Sequence, residues 1–160
     1  MPFYFLYLFM SLRVFGHVSY YQPGDTFQNR LALSRAGLHR PIRAGISGTP
    51  HEGADSIVLA DQYEDDLFGD EELVYAGHGG RDPKTGHQVS DQELNSKNQA
   101  LLQSHTTGQP VRVLRKVVYE CELVYRYEGL YKVVGVTFEA GKSGFKVWKF
   151  RLIPFPTVSR

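Results

Sequence analysis

Apolar residues in this chain occur in short runs separated by turn-forming residues, a pattern typical of β-strands joined by loops. Two runs in the first half are flanked by acidic or glycine-containing loops: residues 56–60 and 72–76. Four more, rich in Val, Phe, Tyr and Leu, follow in the second half: residues 111–118, 122–127, 130–136 and 145–152. The sequence therefore predicts a domain built largely from strands.

Two details of the later runs concern the shape of the sheet. Tyr127-Glu128-Gly129-Leu130 is a candidate tight turn between two of the strands. In the last run the apolar positions change parity after Val147, so its apolar side chains would point to both faces of one strand. Such a phase slip predicts a bulge, which is common where a sheet curls toward a barrel.

Signals for helices are fewer. Ser90-Asp91-Gln92-Glu93 has the pattern of a capping box and predicts a helix over residues 91–104. Residues 29–36, followed by Gly37, form a second candidate helix. No repeat or linker interrupts the chain, so we expect one α+β domain on a curved sheet.

Composition is that of a folded domain, and charge is unevenly distributed along it. The 160 residues are 42% hydrophobic and 22% charged, which excludes a disordered or collagen-like chain. The net charge is +1, yet residues 52–72 hold nine acids and no base, while residues 13–43 hold five bases and one acid and residues 112–151 nine bases and four acids. If the fold brings the two basic stretches together, it offers a surface to a polyanion.

The sequence lacks the motifs of the familiar enzyme classes. Cys121 is the only cysteine, which excludes an intramolecular disulfide and a cysteine-based zinc site. The six histidines have no metal-ligand spacing, and the nucleophile-elbow, phosphate-binding, dinucleotide-binding and zinc-deaminase motifs are absent. We expect no metal and no cofactor, and the familiar enzyme classes are disfavoured.

The first twelve residues are uncharged and rich in Phe, Tyr and Leu. They are too few to span a bilayer, which takes about 18 apolar residues, and they lack the basic start and cleavage site of a secretory signal. We expect residues 1–14 to be an extension or a strand packed on the domain, and no membrane partner. A signal peptide and a fragment of an upstream segment are the alternatives.

Two small-residue loops and one acidic segment are candidate functional elements. The loops are Ala44-Gly45-Ile46-Ser47-Gly48 and Ala76-Gly77-His78-Gly79-Gly80, and glycine at this density lets a ligand approach the backbone. Between them lies Tyr63-Glu64-Asp65-Asp66. From the residues alone, ordinary turns and a solvated acidic loop are the alternative interpretation; a two-metal nuclease centre would also need a lysine that has no suitable spacing here.

Ten stretches, in one order over about 140 residues, resemble a known family. They are Phe15-Gly16-His17, Gly37-Leu38-His39-Arg40-Pro41, residues 44–48, residues 52–60, Tyr63-Glu64-Asp65-Asp66, residues 75–82, Asp91-Gln92-Glu93-Leu94, residues 110–115, residues 127–131 and residues 141–145. In this order the chain resembles the SRA (SET- and RING-associated, or YDG) domain, a family of modules that bind methylated cytosine in DNA. Tyr127-Glu128-Gly129 stands where the family has its Tyr-Asp-Gly.

The resemblance implies a strongly twisted, barrel-like β-sheet with flanking helices, the SRA/PUA-like fold, over residues 15–155, with a tail at residues 156–160. It implies a reader of 5-methylcytosine in duplex DNA that flips the modified base into a pocket. The residues that match this pocket are Tyr63 and Tyr75 as an aromatic sandwich, Asp66 as acceptor for the exocyclic amino group, and Ala60, Gly45 and Ala76 around the methyl group. Plain core aromatics are the alternative interpretation of the two tyrosines.

The same resemblance implies which residues reach the rest of the duplex. Arg43 and residues 81–88 match the two segments that enter the grooves, with Arg43 and His87 as candidates for the space that the flipped base leaves, and with Gln88 beside them. Arg40, Arg81 and Lys142 are candidate phosphate contacts. The loop at residues 81–90 is shorter than in family members that discriminate hemimethylated sites.

The sequence indicates a binding partner and two candidate cellular locations. We expect a monomer that binds double-stranded methylated DNA and works with chromatin-modifying or nuclease domains on another chain, in the nucleus of a eukaryote or else in a bacterial cytoplasm. One alternative is the specificity module of a modification-dependent restriction nuclease. Others are an enzyme acting on the flipped base, with Asp66 activating water, and a protein-interaction domain using the acidic residues 52–72.

Overall fold

Eight strands and two helices make up the described chain. The computed structural model describes residues 13–60 and 63–156. In chain order the elements are β1 (Thr26–Phe27), α1 (Arg30–Ala36), β2 (Ile46–Thr49), β3 (Gly53–Leu59), β4 (Leu67–Phe68), β5 (Leu73–Ala76), α2 (Ser96–Thr107), β6 (Val111–Tyr119), β7 (Glu122–Ala140) and β8 (Lys146–Pro154). Apart from residues 13, 14 and 156, the extension expected at residues 1–14 and the tail expected at 156–160 lie outside the described residues.

The eight described strands form one mixed sheet. Its order is β2-β3-β6-β7-β8-β5-β4, and β1 pairs with β7 beside this path. β3 and β6 are parallel, and the other neighbouring pairs are antiparallel. α2 packs against β2, β3 and β7. The fold is therefore α+β with a twisted, barrel-like sheet, as the sequence predicts, and the sheet stays open between its edge strands β2 and β4.

The tight turn predicted at Tyr127-Glu128-Gly129-Leu130 is wrong. β7 continues through these residues as one strand of 19 residues. Successive residues of β6 pair with Gly129 and then with Tyr127, which makes Glu128 an extra residue in the ladder. Gly129 has a φ of +105°, a conformation that glycine adopts without strain. The glycine therefore marks a bulge that bends the strand, not a turn that reverses it.

A second bulge lies further along β7. Val133 pairs with Leu152 and Gly135 with Arg151, so Val134 is the extra residue. The sequence places this distortion in the last strand, whereas the structure has it in the neighbouring strand. An extra residue in either strand of a pair shifts their register, so the parity of one strand does not tell which of the two carries the bulge.

The two helices begin at asparagine caps. α1 agrees with the prediction: Asn29 accepts a hydrogen bond from the N–H of Ala32, and the helix ends at Gly37 with φ +80°. The predicted start of the second helix at residue 91 is wrong, because α2 begins after Asn95 and runs to Thr107. The preceding segment is held elsewhere: the buried Gln92 side chain donates to the carbonyl of Gly77 and accepts from the N–H of Trp148.

Two buried clusters lie on the sheet. The larger contains residues of β3, β5, α2, β6, β7 and β8, including Tyr75. The smaller joins α1 to the sheet through Leu33, Leu114 and Tyr127. The first cluster therefore reaches the end of β5, where the candidate site begins.

A buried ion pair joins β3 to β6, and its arginine also holds the segment before α1. The Nη2 of Arg112 lies 2.9 Å from the Oδ2 of Asp55, and each side chain is 1% exposed. Arg112 also donates to the backbone carbonyls of Leu38, Val14 and Gly16. Its charge and its donors are thus satisfied within the protein, as a buried guanidinium requires.

His39 fixes the loop that leads into β2. Its Nε2 lies 2.8 Å from the carbonyl oxygen of Ala44, which can only accept, so Nε2 carries the proton and Nδ1 accepts from the Ser56 hydroxyl. Burial lowers the pKa of His39 from 6.5 to about 4, with smaller effects from the bond to Ala44 and from the charges of Arg30, Asp55 and Arg112. The neutral imidazole is therefore part of the fold.

We expect this histidine to make stability depend on pH between 4 and 6.5. The unfolded chain binds its proton at a higher pH than the folded chain does, so the stabilisation is complete above pH 6.5 and is lost as pH falls toward 4. Between pH 7 and pH 5 the free energy of unfolding should fall by about 2 kcal/mol more in the parent than in His39→Gln, as measured by urea titration. Equal losses in the two proteins would contradict this role.

Candidate functional site

Six parts of the chain meet at one cavity: the start of α1, the loop before β2, the end of β3, the turn at residues 63–66, the end of β5 with the loop after it, and the start of α2. The cavity has a volume of about 370 Å³, and we call it the inner cavity. Gly45, Ala60, Tyr63, Asp66 and Tyr75 all line it. The structure thus brings together five residues that are separated in the sequence and that the resemblance assigns to one pocket.

Ala76, the sixth residue of the expected pocket, contributes its backbone. It is buried, and its N–H donates to the Oδ1 of Asp66 at 2.7 Å. Asp66 also donates its own N–H to the carbonyl of Tyr63, which closes the turn between them. The carboxylate is therefore fixed in orientation at the wall of the inner cavity.

Tyr75 belongs both to the inner cavity and to the core. It lies in β5, is 4% exposed, and packs within the larger buried cluster. A Cβ on Gly45 would lie 2.6 Å from its hydroxyl oxygen, so only glycine permits this approach. Burial raises the pKa of Tyr75 well above 10, and Asp66 and Tyr63 raise it further, so the phenol stays neutral. Its ring is a rigid wall.

Tyr63 also lines the inner cavity, but it lies on a loop and not in the sheet. Its hydroxyl accepts a hydrogen bond from the N–H of Gly79 at 3.1 Å. The Cζ atom of Arg81 lies 4.5 Å from the centroid of its ring. The position of Tyr63 therefore depends on the loop after β5 rather than on the sheet.

Buried amides of α2 and of the segment before it hold that loop. The Oδ1 of Asn98 accepts from the N–H of His78, and its Nδ2 donates to the carbonyl of the same residue. A Cβ on Gly77 would lie 2.5 Å from the Oδ1 of Asn98 and 2.9 Å from the Oε1 of Gln92. Asn98 is not identifiable from the sequence, because nothing in its local pattern separates a buried amide from a solvated one.

Four cations line the inner cavity: Arg30, Arg43, Arg81 and Lys97. Within residues 13–60 and 63–156, none of them pairs with an acid, whereas six other cations of the fold do: Arg13, Arg112, Arg115, Arg126, Lys149 and Arg151. Arg30 instead donates to the carbonyls of Pro41 and Ala44. Arg30 and Lys97 are missing from the sequence-based set of residues.

The effect of these charges is visible at His78, which also lines the inner cavity. Desolvation lowers the pKa of His78, and the positive charges of Lys97 and Arg81 lower it further. The four cations outnumber the two acids of the lining, Asp66 and Asp82, and this balance suits an anionic ligand.

The short loop at residues 81–88 is closed by its own hydrogen bonds. Arg81 and Gln88 form a β-bridge, and the N–H of Asp82 donates to the carbonyl of His87. The Gln88 amide donates to the carbonyls of Gly79 and Ser90, while His87 is exposed. Beside this loop lies a second cavity of about 520 Å³, the outer cavity, lined by Tyr63, Arg81, Gly86, His87 and Gln88 among others.

The remaining expected contacts are exposed. Arg40 and Arg43 are on the surface of the loop between α1 and β2, and Lys142 is in the turn between β7 and β8. The N–H of Lys142 donates to the Oδ1 of the buried Asp65 at 3.0 Å, and a Cβ on Gly141 would collide with this carboxylate. Asp65 thus holds the β7–β8 turn, while its neighbour Asp66 lines the inner cavity.

The described residues contain no group of three or more His, Cys, Asp or Glu residues arranged to hold a metal ion. None of their helices has the length and apolar character needed to cross a membrane.

A family model described as the SAD/SRA domain matches residues 14–157. The chain belongs to the SAD/SRA domain family. Among curated proteins, this SRA domain is 38% identical to the E3 ubiquitin-protein ligase UHRF1 of Bos taurus, over 86% of this chain and 21% of that protein. It is 40% identical to the histone-lysine N-methyltransferase family member SUVH2 of Arabidopsis thaliana, over 92% of this chain and 24% of that protein. The chain therefore spans less than a quarter of these relatives.

Solved structures support the same family assignment. The SRA domain superposes on the modification-dependent TagI restriction endonuclease with a TM-score of 0.84 at 41% identity, covering 91% of this chain and 54% of that one. It superposes on the SRA domain of SUVH5 in complex with fully methylated CG DNA with a TM-score of 0.77 at 34% identity, covering 91% of this chain and 97% of that one. The expected family and fold are therefore confirmed.

Proposed function

We propose that this SRA domain reads 5-methylcytosine in duplex DNA by taking the modified base into the inner cavity. The observation that carries the proposal is the arrangement of Tyr63, Tyr75 and Asp66 around one cavity. The SUVH5 relative in complex with methylated DNA supports the ligand class. In this proposal Gly45, Ala60 and the backbone of Ala76 surround the methyl group.

The chemistry of the cavity suits a flipped cytosine. Extrusion of a base costs a few kcal/mol, and stacking on an aromatic ring returns about 1–3 kcal/mol per contact. The Asp66 carboxylate accepts from the exocyclic amino group of cytosine, while thymine presents a carbonyl there and is repelled. One buried methyl group contributes about 0.8 kcal/mol, and a well-shaped pocket about 1–3 kcal/mol, so preference over unmodified cytosine is about tenfold.

The unpaired cations extend the proposed interface beyond the base. Arg40, Arg43 and Lys142 supply positive charge for the phosphates, which position the duplex without reading sequence. Gln88 is held by backbone carbonyls, which leaves the exposed Arg43 and His87 for the space vacated by the base. We propose residues 15–155 as the binding domain, a monomer without catalytic residue, metal or cofactor.

The similarity to the TagI restriction endonuclease favours a second candidate, the specificity module of a modification-dependent nuclease. In that case the partner is a cutting domain, and in the first case it is a chromatin-modifying domain such as those named in the UHRF1 and SUVH2 relatives. The location follows the same division: the nucleus for a chromatin reader, a bacterial cytoplasm for a restriction module. Genes adjacent to the coding sequence distinguish the two.

A titration with three duplexes of one sequence tests the shared core of both candidates. We expect affinity for the hemimethylated or fully methylated duplex to exceed that for the unmodified duplex by about tenfold. With 2-aminopurine beside the methylated cytosine, emission should rise on binding because the probe loses a stacking partner. Equal affinity for all three duplexes would refute methyl reading, and methyl-dependent binding without an emission change would refute flipping.

A further inference from the structure

Arg81 lies in the wall between the inner and the outer cavity. Both Arg81 and Tyr63 line the two cavities. The guanidinium carbon of Arg81 is 4.5 Å from the centroid of the Tyr63 ring. This residue therefore covers one face of the aromatic ring that we assign to base stacking.

Gly86 identifies which face is covered. The Nε of Arg81 donates to the carbonyl of Gly86 at 3.0 Å, and a Cβ on Gly86 would lie 3.2 Å from its Nη2. Gly86 lines the outer cavity and is not among the residues of the inner cavity. From this bond to Gly86 we assign the guanidinium to the outer side of Tyr63, which leaves the inner face of the ring for a base.

Tyr63 needs such support more than Tyr75 does. Tyr75 is fixed by the core, whereas the described contacts of the Tyr63 side chain are its bond to Gly79 and the guanidinium above its ring. A cation over an aromatic face is attracted by the ring quadrupole, and planar guanidinium groups stack best. Arg81 has no acid partner among the described residues, so its charge is available for this contact.

We propose that Arg81 is a positioning residue for base recognition, which backs the outer face of Tyr63 so that a base entering the inner cavity meets a ring already in place. Through Gly86 it also connects the loop at residues 81–88 to the cavity wall, so that the position of the loop and the position of the ring change together. The proposal rests on the proposed function. It differs from the phosphate contact that the resemblance implies for Arg81.

The two roles are distinguished by a double-mutant cycle with Tyr63. For Arg81→Gln we expect affinity for the methylated duplex to fall about three- to tenfold, with the dependence of affinity on salt unchanged. In a Tyr63→Ala background the same substitution should have no further effect, because no ring remains to be supported. A phosphate contact would instead lower the salt slope by about 0.9, weaken both duplexes alike, and act equally in both backgrounds; that result overturns the proposal.

Two variants control for charge and folding. Lys97→Gln removes a cation from the same inner cavity, and no described ring contact involves Lys97, so its effect should be the same with and without Tyr63. Arg81→Lys keeps the charge but not the planar group, so it should lose affinity as Arg81→Gln does; parental affinity in Arg81→Lys overturns the proposal. If Arg81→Gln has a lower melting temperature than the parent, the affinity of Arg81→Lys decides whether the positioning role holds.

Failure of the inference and failure of the proposed function give different results. If the parent protein shows no preference for the methylated duplex, the proposed function fails irrespective of Arg81. If the parent prefers the methylated duplex and Arg81→Gln leaves its affinity unchanged, only the positioning role is refuted.

Discussion

Asp66→Ala is expected to abolish the preference for methylated duplex and to weaken binding of methylated DNA about ten- to hundredfold. The physical reason is the loss of a hydrogen bond to a charged group, which contributes about 1.5–3 kcal/mol. The N–H of Ala76 also loses its acceptor, which removes the fixed geometry at this wall. Weak, salt-sensitive binding should remain because the phosphate contacts are untouched. A titration of methylated and unmodified duplexes measures both effects.

The sign of this change is informative. Removal of a negative charge strengthens DNA binding by electrostatics alone, so a loss identifies a specific contact. Asp70→Ala is the matched control, because Asp70 is an exposed acid outside the inner cavity, and its removal should leave methylated binding unchanged or slightly stronger. Equal behaviour of the two variants would contradict the role of Asp66.

Arg112→Met should lower the free energy of unfolding by about 3–5 kcal/mol, because the buried carboxylate of Asp55 loses Arg112 and keeps only the partly exposed Arg13 as a described cationic partner. The backbone carbonyls of Leu38, Val14 and Gly16 lose their donor as well. Urea unfolding measures the loss. Arg151→Met is the control: Arg151 pairs with Glu72 at the surface, with both side chains about half exposed, and this change should cost no more than about 1 kcal/mol. Similar losses in the two variants would contradict the importance of the buried pair.

Local signals in the sequence predict local features of this fold, and tertiary contacts account for the errors. α1 is predicted because Asn29 and Gly37 cap it by themselves. The start of α2 is misplaced because Gln92 bonds to Gly77 and Trp148, which are distant in the sequence. Gly129 signals a positive φ, but only the pairing of β6 and β7 decides that this φ serves a bulge.

In the candidate site, too, some residues are predictable from the sequence and others only from tertiary contacts. Tyr63, Asp66 and Tyr75 are found through an extended resemblance, and the structure brings them to one cavity. The sequence offers core aromatics and pocket aromatics as alternatives, whereas Tyr75 is both, since β5 carries it from the core to the cavity wall. Asn98 acts only through its position beside the loop after β5, and single-sequence patterns do not contain that distance.

Two adjacent aspartates contact different parts of the structure, and this fixes the distance between those parts. Asp65 binds the β7–β8 turn and Asp66 lines the inner cavity, so the two Cα atoms that join these parts are one peptide unit, about 3.8 Å, apart. The backbone of the β7–β8 turn is therefore held at a set distance from the wall of the inner cavity. Insertion of a single residue between the two aspartates would change that distance while leaving both anchors chemically intact.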